Sequence, residues 1–284
     1  MDPARGYADR AVSTTSSVLS IERDGHVATL WLDNPERRNA MGPAFWDDLP
    51  LRMRELSDDA EVRAVVIAGR GPHFTTGLDL KAFGDVGGGE GGSSDAARHR
   101  ATLRTVKRMQ ASITAVADCP KPVIAAVHGY CLGGGIDLIT ACDIRLAAAD
   151  AIFSVRETRI AIVADVGTLQ RLPGIVGKGH VAELAFTGKD ITAARACEIG
   201  LVNDVCPDAA AVQAAARAMA AEIAANSPLV VQGTKAVLRA CEGRSVAEGL
   251  DYVAVWNSAF LQSNDLMEAM AAFVGKRPPR FTGE

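Results

Sequence analysis

The sequence has no paired CxxC cysteines, no HExxH or paired-ligand histidines and no GxSxG nucleophile elbow. Each absence removes a class of chemistry. Without paired histidine or cysteine ligands a zinc enzyme lacks its usual donor set, and without the elbow a serine hydrolase lacks its activated serine. Charge breaks every apolar run well before the ~18 residues that a membrane span requires, and the first twenty residues lack the basic-then-apolar layout of a signal peptide. A net charge of −4 and a pI near 5.8 supply no basic field for nucleic acid or an anionic membrane, so neither is an expected partner. The six cysteines, Cys119, Cys131, Cys142, Cys197, Cys206 and Cys241, sit mostly among apolar neighbours, as reduced structural thiols do. A reducing, cytoplasmic setting is therefore expected. At 284 residues the chain needs no disulfide staples, since a chain of that size buries roughly 75% of its unfolded surface.

Two nucleotide motifs also fail on spacing. A GxGxxG fingerprint from Gly133 would need glycine at Leu138, and a GxxxxGK loop from Gly129 would need lysine at Gly135.

What is present, 48% hydrophobic and 23% charged residues, is a soluble globular composition. Residues 1–17 are small and polar and read as a loose arm. VLSIER and HVATLWL flank Asp24-Gly25, which reads as a hairpin. Pro43 to Leu56 has helical spacing with Phe45, Trp46, Leu49, Met53 and Leu56 on one side. Arg63 to Ala68 and Val123 to Val127 read as buried strands, separated by a glycine-rich stretch at Gly84 to Ser94 and a helix at Asp95 to Ala117. The glycine-rich stretch reads equally as a flexing cover over a site or as a plain surface linker. From Gly179 onward the pattern is helical, with Ser227-Pro228, Ser245 and Ser263 opening the last three helices.

The stretch from His128 to Pro173 is the anomaly. It holds Gly133, Gly134 and Gly135 and three acids, Asp137, Glu157 and Asp165, in an otherwise apolar run where a carboxylate is costly unless bonded, paired or used. A glycine run before a helix exposes amides suited to a developing oxyanion, and serves tight packing equally well. Each acid has a bland alternative: Asp137 complementing a helix dipole, Glu157 pairing with Arg156 or Arg159 at the surface, Asp165 capping the helix of VGTLQRL.

FTTGLDL, HGYCLGGGIDL, CDIRLAAADAIFSVRE and GTLQRLP, in that order and spacing, resemble the enoyl-CoA hydratase/isomerase (crotonase) family, from about Val18 to the C-terminus. The resemblance implies an α/β fold, a crotonase-like spiral of ββα units over 18–206 followed by a helical oligomerisation region over 207–284. It implies a homo-oligomer, a trimer or a hexamer built as a dimer of trimers. Oxyanion amides transfer to Thr76 and Gly134. Hydratases of the family carry glutamates at the positions of Asp137 and Glu157 but glycine at that of Asp165. The acidic triple with ADVGTLQRLP is similar instead to the branch that converts 3,5-dienoyl-CoA to 2,4-dienoyl-CoA, where the residues matching Glu157 and Asp165 form the proton-transfer pair and that matching Asp137 completes the pocket. The expected function is this isomerisation in unsaturated fatty acid degradation; the alternatives are an enoyl-CoA hydratase and a non-catalytic acyl-CoA-binding protein. No metal or redox cofactor is implied, CoA being part of the substrate. Arg37 and Arg38 would meet its phosphates, Phe273 and Lys276 a neighbouring subunit's CoA, and Gly77, Leu78, Asp79, Leu80 and Gly135 would line the substrate. The C-terminal FTGE lacks the peroxisomal SKL-type address.

Overall fold

The computed structural model describes residues 18–82 and 94–284. The expectations for residues 1–17 and for residues 84–93 of the glycine-rich stretch lie outside them. The chain opens on β1 (Leu19–Asp24) and β2 (Val27–Leu32), an antiparallel hairpin. Asp24 pairs with Val27, so the turn is Gly25-His26, one residue later than Asp24-Gly25, with Gly25 at φ +55°. α1 (Pro43–Asp58) buries the five apolar residues its spacing singles out.

β3 (Ala64–Gly69), β4 (Val123–Val127), β6 (Ile144–Ala148) and β9 (Asp204–Cys206) extend the hairpin in parallel, giving the order β1-β2-β3-β4-β6-β9. A smaller sheet holds β5 (Tyr130–Leu132), β7 (Ile152–Ser154) and β8 (Ile191–Thr192). After β4 and again after β6 the chain leaves the large sheet, crosses a short turn and enters the small one. After β3 it does the same through a single bridge, Thr75 to Cys131. This repetition is the ββα spiral.

The parallel strands are covered on both faces, as such sheets require. Val65 and Ile67 of β3 and Val123, Ala125 and Val127 of β4 face the main core with α1 and the long helix α2 (Asp95–Asp118). Their neighbours Ala64, Val66, Ala68, Ile124 and Ala126 face α7 (Ala209–Ala224), which presents Val212, Ala216, Ala220 and Ala224 at four-residue spacing. The small side chains let this helix lie close on the sheet. The helical segment from residue 207 thus begins as a layer of the spiral core, and only α8 (Pro228–Ala240), α9 (Val246–Phe260) and α10 (Asn264–Val274) extend beyond it. Ser227, Ser245 and Ser263 cap them as the pattern predicts.

Candidate active site

Strand pairing in the small sheet builds the site. β5 ends at Leu132 opposite Ser154 of β7, and the Gly133 N–H donates to Ser154 O at 2.9 Å. One strand therefore delivers the glycine turn and its neighbour delivers Glu157, at the head of a 3-10 turn (Glu157–Ile160). A Cβ on Gly133 would lie 3.2 Å from Glu157 Oε1, and its φ of +53° is itself a glycine conformation. The Glu157 carboxyl thus sits against the glycine turn. No surface pair forms with its neighbouring arginines: Arg156 binds Asp190, and Arg159 donates to Thr187 O. Glu157 Oε2 is buried with no hydrogen-bond partner among the described residues.

Asp137 lies in the first turn of α3 (Gly134–Thr140) and is 1% exposed. Its Oδ1 accepts the N–H of Thr168 at 2.6 Å. Asp137 therefore satisfies the start of α4 (Thr168–Arg171), the task its sequence suggests for Asp165. Asp165 is not that helix's N-cap, which is Gly167 at φ +137°. Asp165 is instead half-buried on the loop before it, between Ala164 and Val166, both packed in the core.

Burial raises all three carboxyls, and the charges among them add to the rise of Asp137 and Glu157. Burial pushes Asp137 up to about 6, opposed by the hydrogen bond from Thr168 and reinforced by the charge of Asp165. Burial pushes Glu157 up to about 7, and the charges of Asp137 and Asp165 add to the rise. Burial raises Asp165 as well. Near neutral pH such a group can hold one carboxyl protonated beside another ionised, which a paired proton donor and acceptor require.

The oxyanion donors differ from the sequence expectation at one position. Thr76 is not an available donor, because its N–H is taken by Arg38 O at 3.2 Å. The Gly77 N–H is taken by Thr75 Oγ1 at 3.1 Å. Around Met41 the bridge to Leu78 uses Gly77 O and the Asp79 N–H, so alternation turns the Leu78 N–H to the opposite side. That amide nitrogen lies 3.9 Å from where a Cβ on Gly134 would stand. Gly134 is the first residue of α3 and has no carbonyl one turn earlier in its helix to receive its N–H. The pair that can converge on one oxygen is Leu78 and Gly134.

Of the other expected contacts, Asp79 is 8% exposed and serves as a bracket, binding Arg37 at 2.9 Å and accepting from the Lys81 and Ala82 amides. This holds Arg37 against Asp79, the residue after Leu78. Arg38 is exposed at φ +54° and forms no ion pair among the described residues, and Leu80 is 54% exposed. Gly135 is a packing glycine: a Cβ would lie 2.7 Å from Thr75 Cγ2. Gly77 crosses Leu132, where a Cβ would lie 2.4 Å from the carbonyl oxygen. Phe273, 86% exposed, and Lys276 belong to the C-terminal helical surface. Among the described residues no cluster of His, Cys, Asp or Glu could hold a metal ion.

The model of the enoyl-CoA hydratase/isomerase family matches residues 22–284. The chain belongs to this family. It is 43% identical over 268 residues to the peroxisomal Delta(3,5)-Delta(2,4)-dienoyl-CoA isomerase of Arabidopsis thaliana, spanning 94% of this chain and 96% of that one. It is 47% identical over 250 residues to the mitochondrial protein of that name from Homo sapiens, spanning 87% of this chain and 76% of the relative. The solved enoyl-CoA hydratase of Bacillus anthracis superposes with a TM-score of 0.85 at 31% identity, covering 94% of this chain and all of the other. The crotonase fold is therefore shown, and with it an enzyme family that acts on CoA thioesters. Sequence reasoning missed the Leu78 amide, the Thr168 amide and Gln110, whose Nε2 donates to Asp165 O at 2.6 Å. FTTGLD alone holds no signal that separates the Leu78 amide from that of Thr76, because the bridge to Met41 decides it.

Proposed function

We propose that the protein converts 3,5-dienoyl-CoA to 2,4-dienoyl-CoA in the degradation of unsaturated fatty acids, using two carboxyls and a backbone oxyanion hole. The observation that carries this reading is the third acid: Asp165 sits on the loop that Asp137 ties down through Thr168, and its charge raises both Asp137 and Glu157. Water addition to a 2-enoyl thioester needs only two of them. The resemblance to named dienoyl-CoA isomerases over most of the chain supports the same reaction.

The Glu157 carboxyl, against the glycine turn, stands beside the thioester end and takes a proton from C2. That C–H bond breaks, its electron pair forms a C1–C2 double bond, and the carbonyl π pair moves onto the thioester oxygen of the dienolate. The Gly134 and Leu78 amides receive that charge, each worth ~2.7 to 4 kcal/mol in comparable sites. Asp165, on a separate loop, donates to C6 as the remaining double bonds shift to the 2 and 4 positions. C2 and C6 are too far apart for one fixed carboxylate to serve both. Asp137 keeps its bond to Thr168, which fixes the loop carrying Asp165, and its charge raises the proton affinity of Glu157, which makes the ionised Glu157 carboxylate a stronger base toward C2. Only protons move, so this reading assigns no cofactor. Arg37 and Arg38 take the CoA phosphates.

The exposed apolar residues Val246, Leu250 and Val255 on α9 and Met267, Met270 and Phe273 on α10 support a trimer or hexamer in which the last helices meet neighbouring subunits. Six free cysteines favour a reducing compartment such as the cytoplasm. No helix among the described residues is long and apolar enough to cross a membrane.

Substitution of the third acid tests the assignment. Asp165→Asn keeps size and loses proton transfer, so isomerase kcat should fall about 10²- to 10⁴-fold in a folded protein, and Glu157→Gln should fall comparably. Retained isomerisation in Asp165→Asn would remove the two-acid mechanism. Loss of hydration of a 2-enoyl-CoA in Glu157→Gln, with no isomerisation by the parent, would establish the hydratase instead.

A further inference from the structure

We infer that Gln110 is a positioning residue for the distal proton transfer, holding the Asp165 loop by a hydrogen bond to the main chain of the acid itself. The inference rests on the reaction proposed above. The bond is short, Gln110 Nε2 to Asp165 O at 2.6 Å, and it comes from α2, an element that contributes none of the three acids. Four residues further along α2, on the same helical face, Thr114 Oγ1 accepts from Arg171 Nη2 at 3.0 Å. Arg171 in turn reaches back to Val166 O at 3.5 Å and passes against Gly167, where a Cβ would lie 1.8 Å from Nη1. On its other side the loop is tied through the Thr168 N–H to Asp137.

Residues 165–168 are therefore held from two directions, by α3 through Asp137 and by α2 through Gln110 and Thr114. The two ties are chemically different. Asp137 and Arg171 are charged and act on the carboxyls electrically as well as sterically, whereas Gln110 is neutral. Removing the Gln110 amide changes where Asp165 stands without adding or removing charge among the acids. A proton donor displaced by ~1 Å loses up to about 10²-fold in rate, so one main-chain hydrogen bond is enough to matter. The Glu157 side rests instead on strand pairing between β5 and β7, a set of hydrogen bonds separate from the Gln110 bond to Asp165 O.

The test separates the two ends of the reaction. In Gln110→Leu, turnover of 3,5-dienoyl-CoA to the conjugated product should fall about 10- to 100-fold. KM should stay within about twofold, and exchange of the C2 hydrogen with D2O should stay within about threefold. Gln110→Glu, which sets an acceptor against the Asp165 carbonyl, should lose product formation at least as strongly. Added to Asp165→Asn, Gln110→Leu should cause no further loss, since it acts only through that acid. Normal turnover in Gln110→Leu, a parallel fall in exchange and product formation, or an additive loss in the Asp165→Asn background would each overturn the role. A parent that exchanges and isomerises nothing would overturn the assigned reaction itself, and is read before any variant.

Discussion

Glu157 is divided between its protonated and ionised forms near neutrality because burial and the charges of Asp137 and Asp165 oppose its ionisation, and that arrangement costs stability whenever it ionises. Folded, it titrates at about 7 against an ordinary 4.5. The folded chain therefore binds more protons than the unfolded one between those values, and stability falls as pH rises through that window. Glu157→Gln, neutral throughout, should match the parent near pH 4.5 and be more stable by up to ~3 kcal/mol at pH 8, where it should unfold at a higher temperature. Thermal unfolding of both proteins at the two pH values measures it. A Gln variant less stable than the parent at pH 8 would show that the backbone hydrogen bonds from Arg156 and Glu157 to the ionised carboxylate outweigh its burial. The residue scale is also where sequence and structure part. The three acids stood out because carboxylates are rare in an apolar run, but their individual duties did not. Asp137 caps α4 and Asp165 does not, because capping depends on which carboxylate the fold carries to Thr168, thirty-one positions from Asp137. Thr76 and Leu78 are both near Gly77, and only the bridge to Met41 decides whose N–H is free.

At the scale of elements, period and caps were legible and partners were not. The apolar spacing of α1 and the serines opening α8, α9 and α10 act through neighbours in sequence, so they could be read from it. The ties between elements are long-range. Lys235 of α8 is one: its Nζ donates to Asp143 Oδ2 at 2.6 Å and to Lys121 O at 2.9 Å, joining the last helices to the ends of β4 and β6. Nothing within α8 reveals this, since a lysine in a helix ordinarily faces water. Lys235→Ala leaves Asp143 without its cation and should cost ~3 kcal/mol, read as a lower urea midpoint. An unchanged midpoint would show that water replaces the ammonium at no cost. The division at residue 207 has the same origin. α7 is as helical as α8, α9 and α10, and only its alanine stripe against β3, β4 and β6 makes it part of the core.

For the whole molecule, the spiral supplies the site and leaves the last helices with an apolar surface too large for water, Val246 at 81% and Phe273 at 86% exposed among it. The protein should therefore run as a trimer or hexamer by light scattering, and Leu250→Asp should shift it toward smaller species; a parent monomeric across a wide concentration range would remove that assembly. The central claim, that this family fold with three coupled acids moves double bonds rather than adding water, rests on what the molecule produces. The direct measurement is product identity when the purified protein is given a 3,5-dienoyl-CoA and a 2-enoyl-CoA side by side. The account predicts rapid appearance of the ultraviolet absorbance of the conjugated 2,4-dienoyl thioester, with at most slow formation of the 3-hydroxy product from the enoyl substrate. Fast hydration of the 2-enoyl-CoA with no conjugated product from the diene would contradict it.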